Sequence, residues 1–276
     1  MSCETVNLVD MARLLRRDVV DTVYRAKDGH PSPALSCADI VAALFFKVLK
    51  LDPQNPKWPG RDRFILSKGH ACPVLYAALA RRGYFSRDEL PGLRSLGSCL
   101  QGHPCMRKTP GIDMTTGSLG NGISIGVGMA MAAKYLEQDY NTYVIMGDGE
   151  LEEGIVWEAA MSAVKHKLDN LIVFVDNNGL QSGGKVSDIS GLMPIYEKWE
   201  AFQWHCQEID GHNMDEILAA VKNAHQVKGK PSLILAHTVK GKGVPYMETD
   251  NSWHKRVPTD DEYKEAMEIL GGMDCE

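Results

Sequence analysis

The sequence has no Cys-x-x-Cys pair. Its seven cysteines (Cys3, Cys37, Cys72, Cys99, Cys105, Cys206 and Cys275) stand singly. An odd, scattered set suits a reducing, cytoplasmic setting better than a disulfide framework. Cys99 and Cys105 flank His103, but no fourth soft ligand is near, so they make no metal site. The N-terminus has Glu4 and Asp10 and no apolar core, so a signal peptide is not expected. The longest apolar run, Ile40 to Leu49, is broken by Lys47 and is too short to span a bilayer. There is no excess of positive charge either: the formal net charge is -6. The basic clusters at Arg13, Arg16 and Arg17 and at Arg81 and Arg82 lack interleaved aromatics and read as solvated helix faces, so nucleic acid is not an expected partner. Internal repeats, low-complexity tracts and linker composition are all missing.

What is present is an ordinary globular balance over 276 residues, 44% apolar and 24% charged. Leu8, Met11, Leu15, Val19 and Val23 recur at three- and four-residue steps, as on one face of a helix. Ala38 to Leu49 reads as one buried helix, Asp52 to Gly60 as a proline-rich loop, Phe64 to Leu66 as a short strand, and Val74 to Arg82 as a helix. Gly97 to Gly122 is a long glycine-rich, polar stretch. The helix after it has Gly122, Gly126 and Ala130 in step, which predicts close helix–helix packing. Tyr143 to Met146, Gly154 to His166 and Leu171 to Asp176 read as strand, helix and strand, a right-handed βαβ unit. Met214 to His225 reads as a helix, Leu233 to His237 as a buried strand, and Asp260 to Leu270 as a charged helix. Together these predict one doubly wound α/β domain, a mostly parallel sheet with helices on both faces.

The stretch Thr142-Tyr-Val-Ile-Met-Gly-Asp-Gly-Glu-Leu-Glu-Glu-Gly154 carries the chemistry. In open parallel sheets ligands collect at the carboxyl ends of strands. Asp148 stands at one such end, between Gly147 and Gly149, and Asp176-Asn177-Asn178 stands at the next. A helix beginning just after Gly149 would point its free N–H groups into the same crevice, where they attract phosphate. Glycines beside Asp148 let the backbone approach a bulky anion. A carboxylate and an amide oxygen are hard ligands suited to Mg²⁺, with phosphate oxygens and water completing six positions. A Gly-Asp-Gly or an Asn-Asn-Gly alone is a common turn; the two together at adjacent strand ends are far more specific. A nicotinamide fold would need its glycine fingerprint directly after a strand, and Gly117, Gly120 and Gly122 follow none.

Gly147-Asp148-Gly149 followed by Asn177-Asn178 resembles the thiamine diphosphate motif. Gly29-His30-Pro31, Arg61-Asp62-Arg63-Phe64, Ser67-Lys68-Gly69-His70, Gly102-His103-Pro104 and Thr116-Gly117-Ser118-Leu119-Gly120-Asn121-Gly122 stand in transketolase order. The resemblance to transketolases runs from about residue 5 to 260. It implies thiamine diphosphate with Mg²⁺ (Ca²⁺ or Mn²⁺ as substitutes), and sugar phosphates as substrates. By resemblance, Asp148, Asn178 and the Leu180 carbonyl would hold the metal, and Gly147 and Gly149 would meet the diphosphate. Gly117 and Leu119 would line the aminopyrimidine, and Glu153 would face a subunit interface beside the cofactor. His103 would contact the donor ketose at its C1 hydroxyl, His30 and His254 would handle protons at the C3 hydroxyl and the acceptor aldehyde, and His70 would lie near the diphosphate. Imidazole titrates near working pH, so it suits this proton traffic. His166, His205, His212, His225 and His237 are expected to have no role.

One departure from the family is polar. Ser182 stands where an apolar residue beside the thiazolium ring is usual, and Ser182-Gly183-Gly184 is expected to loosen that loop. The resemblance covers only the diphosphate-binding domain. The pyrimidine-binding and C-terminal domains, with the activating glutamate, are expected on a separate chain, as an α2β2 assembly. Most phosphate-reading residues would lie on that chain, so a branched or sulfonated sugar substrate would leave this one almost unchanged. An E1 α subunit of a 2-oxoacid dehydrogenase would not need the four histidines. A non-catalytic cofactor-binding protein would tolerate loss of a metal ligand or a histidine, and none is lost.

Overall fold

The computed structural model describes residues 7–248 and 250–271; Cys3, Glu4 and Cys275 lie outside them. In chain order the helices are α1 (Leu8–Ala26), α2 (Pro31–Ser36), α3 (Ala38–Ala43), α4 (Cys72–Arg82), α5 (Asn121–Tyr135), α6 (Gly154–Lys165), α7 (Val186–Ile189), α8 (Ile195–Ala201), α9 (Met214–Gln226), α10 (Pro245–Glu248) and α11 (Asp260–Ile269). The strands are β1 (Arg63–Leu66), β2 (Thr142–Gly147), β3 (Leu171–Asn177), β4 (Leu180–Gln181), β5 (Gly184–Lys185), β6 (His205–Asp210) and β7 (Ser232–His237). Five strands form one sheet in the order β1-β2-β3-β7-β6, every neighbouring pair parallel.

Strand alternation sends side chains to two cores. Tyr143, Ile145, Ile172, Phe174, Ile234 and Ala236 meet α1, α3, α4 and α9 on one face. Val144, Met146, Val173, Val175, Leu233 and Leu235 meet α5, α6 and α8 on the other. The helices start on side chains that serve their free N–H groups: Asn7 for α1, Asn213 for α9, and a reciprocal Thr259–Glu262 box for α11.

Several features differ from the sequence reading. Arg16 and Arg81, expected on solvated helix faces, are instead held against Asp39 and Asp18 in largely buried ion pairs. The single helix from Ala38 to Leu49 is α3 followed by a wider-wound turn, Leu44–Val48, and α2 precedes it. The small-residue stripe of α5 packs on the sheet rather than on another helix: a Cβ on Gly122 would lie 2.2 Å from Ser67 Oγ, and one on Gly126 would lie 2.8 Å from Val144 Cγ2. The residues after Asp148 form a 3₁₀ turn, Gly149–Glu152, and α6 starts only at Gly154. There the Glu150 carboxylate turns back to accept the Gly147 N–H (3.1 Å). Finally, Ser182-Gly183 is the two-residue turn of the β4–β5 hairpin, not a loose loop. Asn251 Nδ2 donates to the carbonyls of Gln181 (3.0 Å) and Ser182 (3.3 Å), which fixes it.

Candidate active site

The carboxyl ends of β2, β3 and β7 lie within one residue of level, because Gly147 pairs with Asp176 and Asp176 with Ala236, and β1 ends two residues lower, at Leu66 opposite Ile145. Each strand delivers a short polar loop to this edge. A cleft of about 290 Å³ opens there. Ten of the twelve residues singled out from the sequence line it: His30, His70, Gly117, Leu119, Gly147, Asp148, Gly149, Asn178, Leu180 and His254. The other two flank it. His103 is exposed, with its ring 3.3 Å from where a Cβ on Gly117 would be. Glu153 is exposed and packs its Cβ 2.9 Å from the same point on Gly120.

Asp148 is 2% exposed. Its Oδ1 accepts the Gly149 N–H (2.8 Å) and its Oδ2 the Gly179 N–H (2.5 Å). Burial, with Asp176 close by, raises its pKa to about 6. The Asn178 amide is oriented from both ends: Nδ2 donates to Asp176 Oδ2 (3.3 Å) and Oδ1 accepts the Leu180 N–H (3.1 Å). Asp148, the Asn178 amide oxygen and the Leu180 carbonyl are the oxygens that could hold a small hard cation. Among the described residues no group of three His, Cys, Asp or Glu side chains could do so.

Asp176, fully buried, is the anchor beneath. It accepts from Lys68, Thr238 and Ser36 Oγ (2.5 Å), and Lys68 also donates to the Pro33 carbonyl (2.7 Å). Lys68 holds Asp176 ionised, and Asp176 raises the Lys68 pKa against the cost of burial. This knot joins the loop of His30, the loop of His70 and the ends of β3 and β7. Removing one member would leave an uncompensated buried charge.

His30, His70 and His254 form a triangle with ring centroids 5.2 to 5.4 Å apart. Burial and nearby positive charge push their pKa values down, to about 3 for His30, about 2 for His70 and about 4 for His254. All three are therefore neutral imidazoles near neutral pH. His30 Nδ1 and His254 Nδ1 are buried with no hydrogen-bond partner among the described residues. The His103 pKa is also lowered, by partial desolvation of the ring where it rests on the chain and by Arg94. Arg94 links the loops of His30 and His103, donating to Asp28 (3.0 Å) and to the Gly102 carbonyl (3.3 Å).

The sequence reading missed Lys240, Gln181 and Glu150, all of which line the cleft. Lys240, 3% exposed, donates to Asn251 Oδ1 (2.7 Å) and the Leu180 carbonyl (3.3 Å). Burial and Lys68 push its pKa down to about 8, so this ammonium would gain from an anion in the cleft. Its signal in the sequence was Thr238-Val-Lys-Gly-Lys-Gly243 directly after a buried strand. Gln181 packs its Cβ 2.8 Å from where a Cβ on Gly149 would be, which leaves only glycine room there. Among the residues expected to be idle, His212 and His225 hold structural bonds, to Asp39 (2.8 Å) and to the Tyr143 hydroxyl (2.7 Å).

A parallel sheet with a buried acid and an oriented amide at adjacent strand ends, under converging histidines, defines a class of anionic-cofactor site. The family model described as transketolase, thiamine diphosphate binding domain, matches residues 5–276. The chain belongs to that family. It is 46% identical to the 6-deoxy-6-sulfo-D-fructose transketolase subunit of Clostridium sp. (strain MSTE9), covering 98% of both chains. It is 43% identical to an apulose-4-phosphate transketolase subunit of Phocaeicola vulgatus, covering 97% of this chain and 94% of that one. Transketolase from Leishmania mexicana superposes with a TM-score of 0.93 at 33% identity, over 98% of this chain and 42% of that one. The chain thus spans about two fifths of that solved transketolase.

Proposed function

We propose that this chain is the diphosphate- and metal-binding half of a two-chain transketolase, which moves a two-carbon ketol unit from a ketose phosphate to an aldose phosphate. The observation that carries the reading is the triangle of neutral histidines over a cleft walled by Asp148, Asn178, Leu180 and Lys240. A bound thiamine diphosphate supplies the carbanion and electron sink. Asp148, Asn178 and the Leu180 carbonyl hold Mg²⁺, and Lys240 with the Gly147–Gly149 backbone meets the diphosphate. Gly117 and Leu119 border the aminopyrimidine. Gly117 has φ 150°, a backbone that only glycine adopts without strain, and this keeps His103 against it.

His30 and His254 take and return protons at the donor C3 hydroxyl and the acceptor aldehyde. Burial keeps both neutral at neutral pH, so each has an unprotonated ring nitrogen, but the same burial makes each a weaker base than the free imidazole expected from the sequence. His103 orients the C1 hydroxyl from the mouth of the cleft, and His70 packs beside the diphosphate. Glu153 faces the subunit interface. The activating glutamate and the pyrimidine-binding domain come from a separate chain in an α2β2 assembly. The two relatives described above are named as subunits, which supports a partner. The described cysteines are all free, in keeping with a cytoplasmic setting; no described helix is long and apolar enough to cross a membrane.

A second reading keeps the reaction and changes the sugar. The names of the same two relatives specify a sulfonated and a branched sugar, which favours a modified substrate here. Steady-state assays of the purified two-chain complex on fructose 6-phosphate, 6-deoxy-6-sulfofructose and apulose 4-phosphate separate the two. No ketol transfer from any of them would refute both.

A further inference from the structure

We propose that Glu150 is a positioning residue that fixes three cofactor-binding loops at once; this rests on the thiamine diphosphate reading above. Its carboxylate is 2% exposed and lies at the floor of the cleft. Oε1 accepts from the Ser67 hydroxyl and from the Gly120 N–H (2.7 Å), and Oε2 accepts from the Gly147 N–H (3.1 Å). Ser67 opens the loop of Lys68 and His70. Gly120 closes the Gly117–Leu119 loop, and Gly147 begins the Gly147–Gly149 loop. These loops follow three separate stretches of chain, and the one carboxylate holds them in a common frame.

No lysine, arginine or histidine is paired with Glu150 among the described residues. Two backbone N–H groups and one hydroxyl satisfy it instead. A buried carboxylate without a cation is costly unless hydrogen-bonded. A residue needed only to fill this space could be apolar, so the acid is explained by the donors it gathers. Glu152, on the same turn as Glu150, meets Gln181 of the β4–β5 hairpin near the surface (3.0 Å) and so ties its turn to that one segment alone.

Glu150→Gln is the informative substitution. The amide keeps the shape but has one acceptor oxygen, so in either orientation one backbone N–H, at Gly120 or Gly147, faces an NH₂ group. One bond to a charged acceptor is lost and one buried donor is orphaned. The complex of this chain with its partner subunit is titrated with thiamine diphosphate and Mg²⁺. The expected result is a rise of about tenfold in cofactor Kd, about 1.4 kcal/mol, with the donor KM at saturating cofactor unchanged within twofold. Amide hydrogen exchange at Gly120 or Gly147 in the cofactor-free complex should quicken with it. An unchanged Kd in a folded variant, even one with a lower urea midpoint, would make Glu150 merely structural and overturn the proposal. The wild-type complex supplies a reading independent of the variant's folding. Its Gly120 and Gly147 amides should exchange as slowly as those of Val144 and Ile145 inside β2 before cofactor is added, and loop-like exchange would overturn the proposal. If the wild-type complex binds no cofactor, the proposed function falls with it; if it binds and Glu150→Gln binds equally well, only the role of Glu150 falls.

Discussion

Replacing Gly122 by alanine should destabilise this chain, although alanine is the better helix former. Inside a helix the exchange alone would gain about 0.5–1 kcal/mol. At Gly122, however, the new Cβ would lie 2.2 Å from Ser67 Oγ, 2.4 Å from Ser67 Cβ and 2.8 Å from Ser67 Cα. Ordinary carbon contacts are about 3.5–4.0 Å, and Ser67 Cα belongs to the backbone at the end of β1. Helix α5 would have to retreat from the sheet by about an ångström. Over-packing of this kind costs about 1–3 kcal/mol, so after the helix gain the net loss should be up to about 2.5 kcal/mol. Gly128, on the same helix, is exposed and a Cβ there would meet nothing within 4 Å. Gly128→Ala should therefore stabilise by about 0.4–1 kcal/mol. The assay is urea unfolding of both variants beside the wild type, read as the shift in midpoint at constant slope. Equal shifts, or a more stable Gly122→Ala, would refute the packing of α5 on Ser67.

The site makes further predictions. Asp148→Ala should abolish Mg²⁺-dependent cofactor binding, read by titration with and without chelator; binding with unchanged metal dependence would refute the ligand assignment. His103→Ala should raise donor KM or lower kcat with cofactor Kd near normal, and a large loss of cofactor affinity would make His103 structural. The depressed pKa values of His30, His70 and His254 also fix a sign for stability. Between about pH 6.5 and 4 the unfolded chain binds more protons at these histidines than the folded one does, so their contribution is intact above pH 6.5 and lost as pH falls. Asp148, raised to about 6, opposes this as a single group. A His30→Gln, His254→Gln double variant should lose less stability than wild type between pH 6.5 and 4.5 in urea titrations. An equal loss would contradict the buried neutral histidines.

Much of the sheet was legible because β1, β2, β3 and β7 are apolar runs that end on polar loops. The edge strand β6 was not found: His205-Cys-Gln-Glu-Ile-Asp210 has one buried residue, Ile209, and its stability comes from pairing with β7. Helix α8 escaped for a similar reason, since only Ile195 and Trp199 are buried on it. The small-residue stripe of α5 showed that something approaches closely. Whether that neighbour is a helix or a strand depends on tertiary placement, which periodicity does not carry. In the cleft, motif residues were legible because glycine and histidine mark loops. Lys240 and Glu150 were not, since a buried charge looks like a surface charge until its partners are known. Their partners, Asn251 and Leu180 for one, Ser67, Gly120 and Gly147 for the other, lie eleven to eighty-three residues away in most cases.

The central claim, a half-site completed by another chain, is tested most directly by native mass spectrometry of the tagged chain drawn from its own cells with Mg²⁺ and thiamine diphosphate present. The account predicts two copies of this chain, two of a second chain of comparable size, and two cofactors. A cofactor-free homodimer without a partner would contradict it.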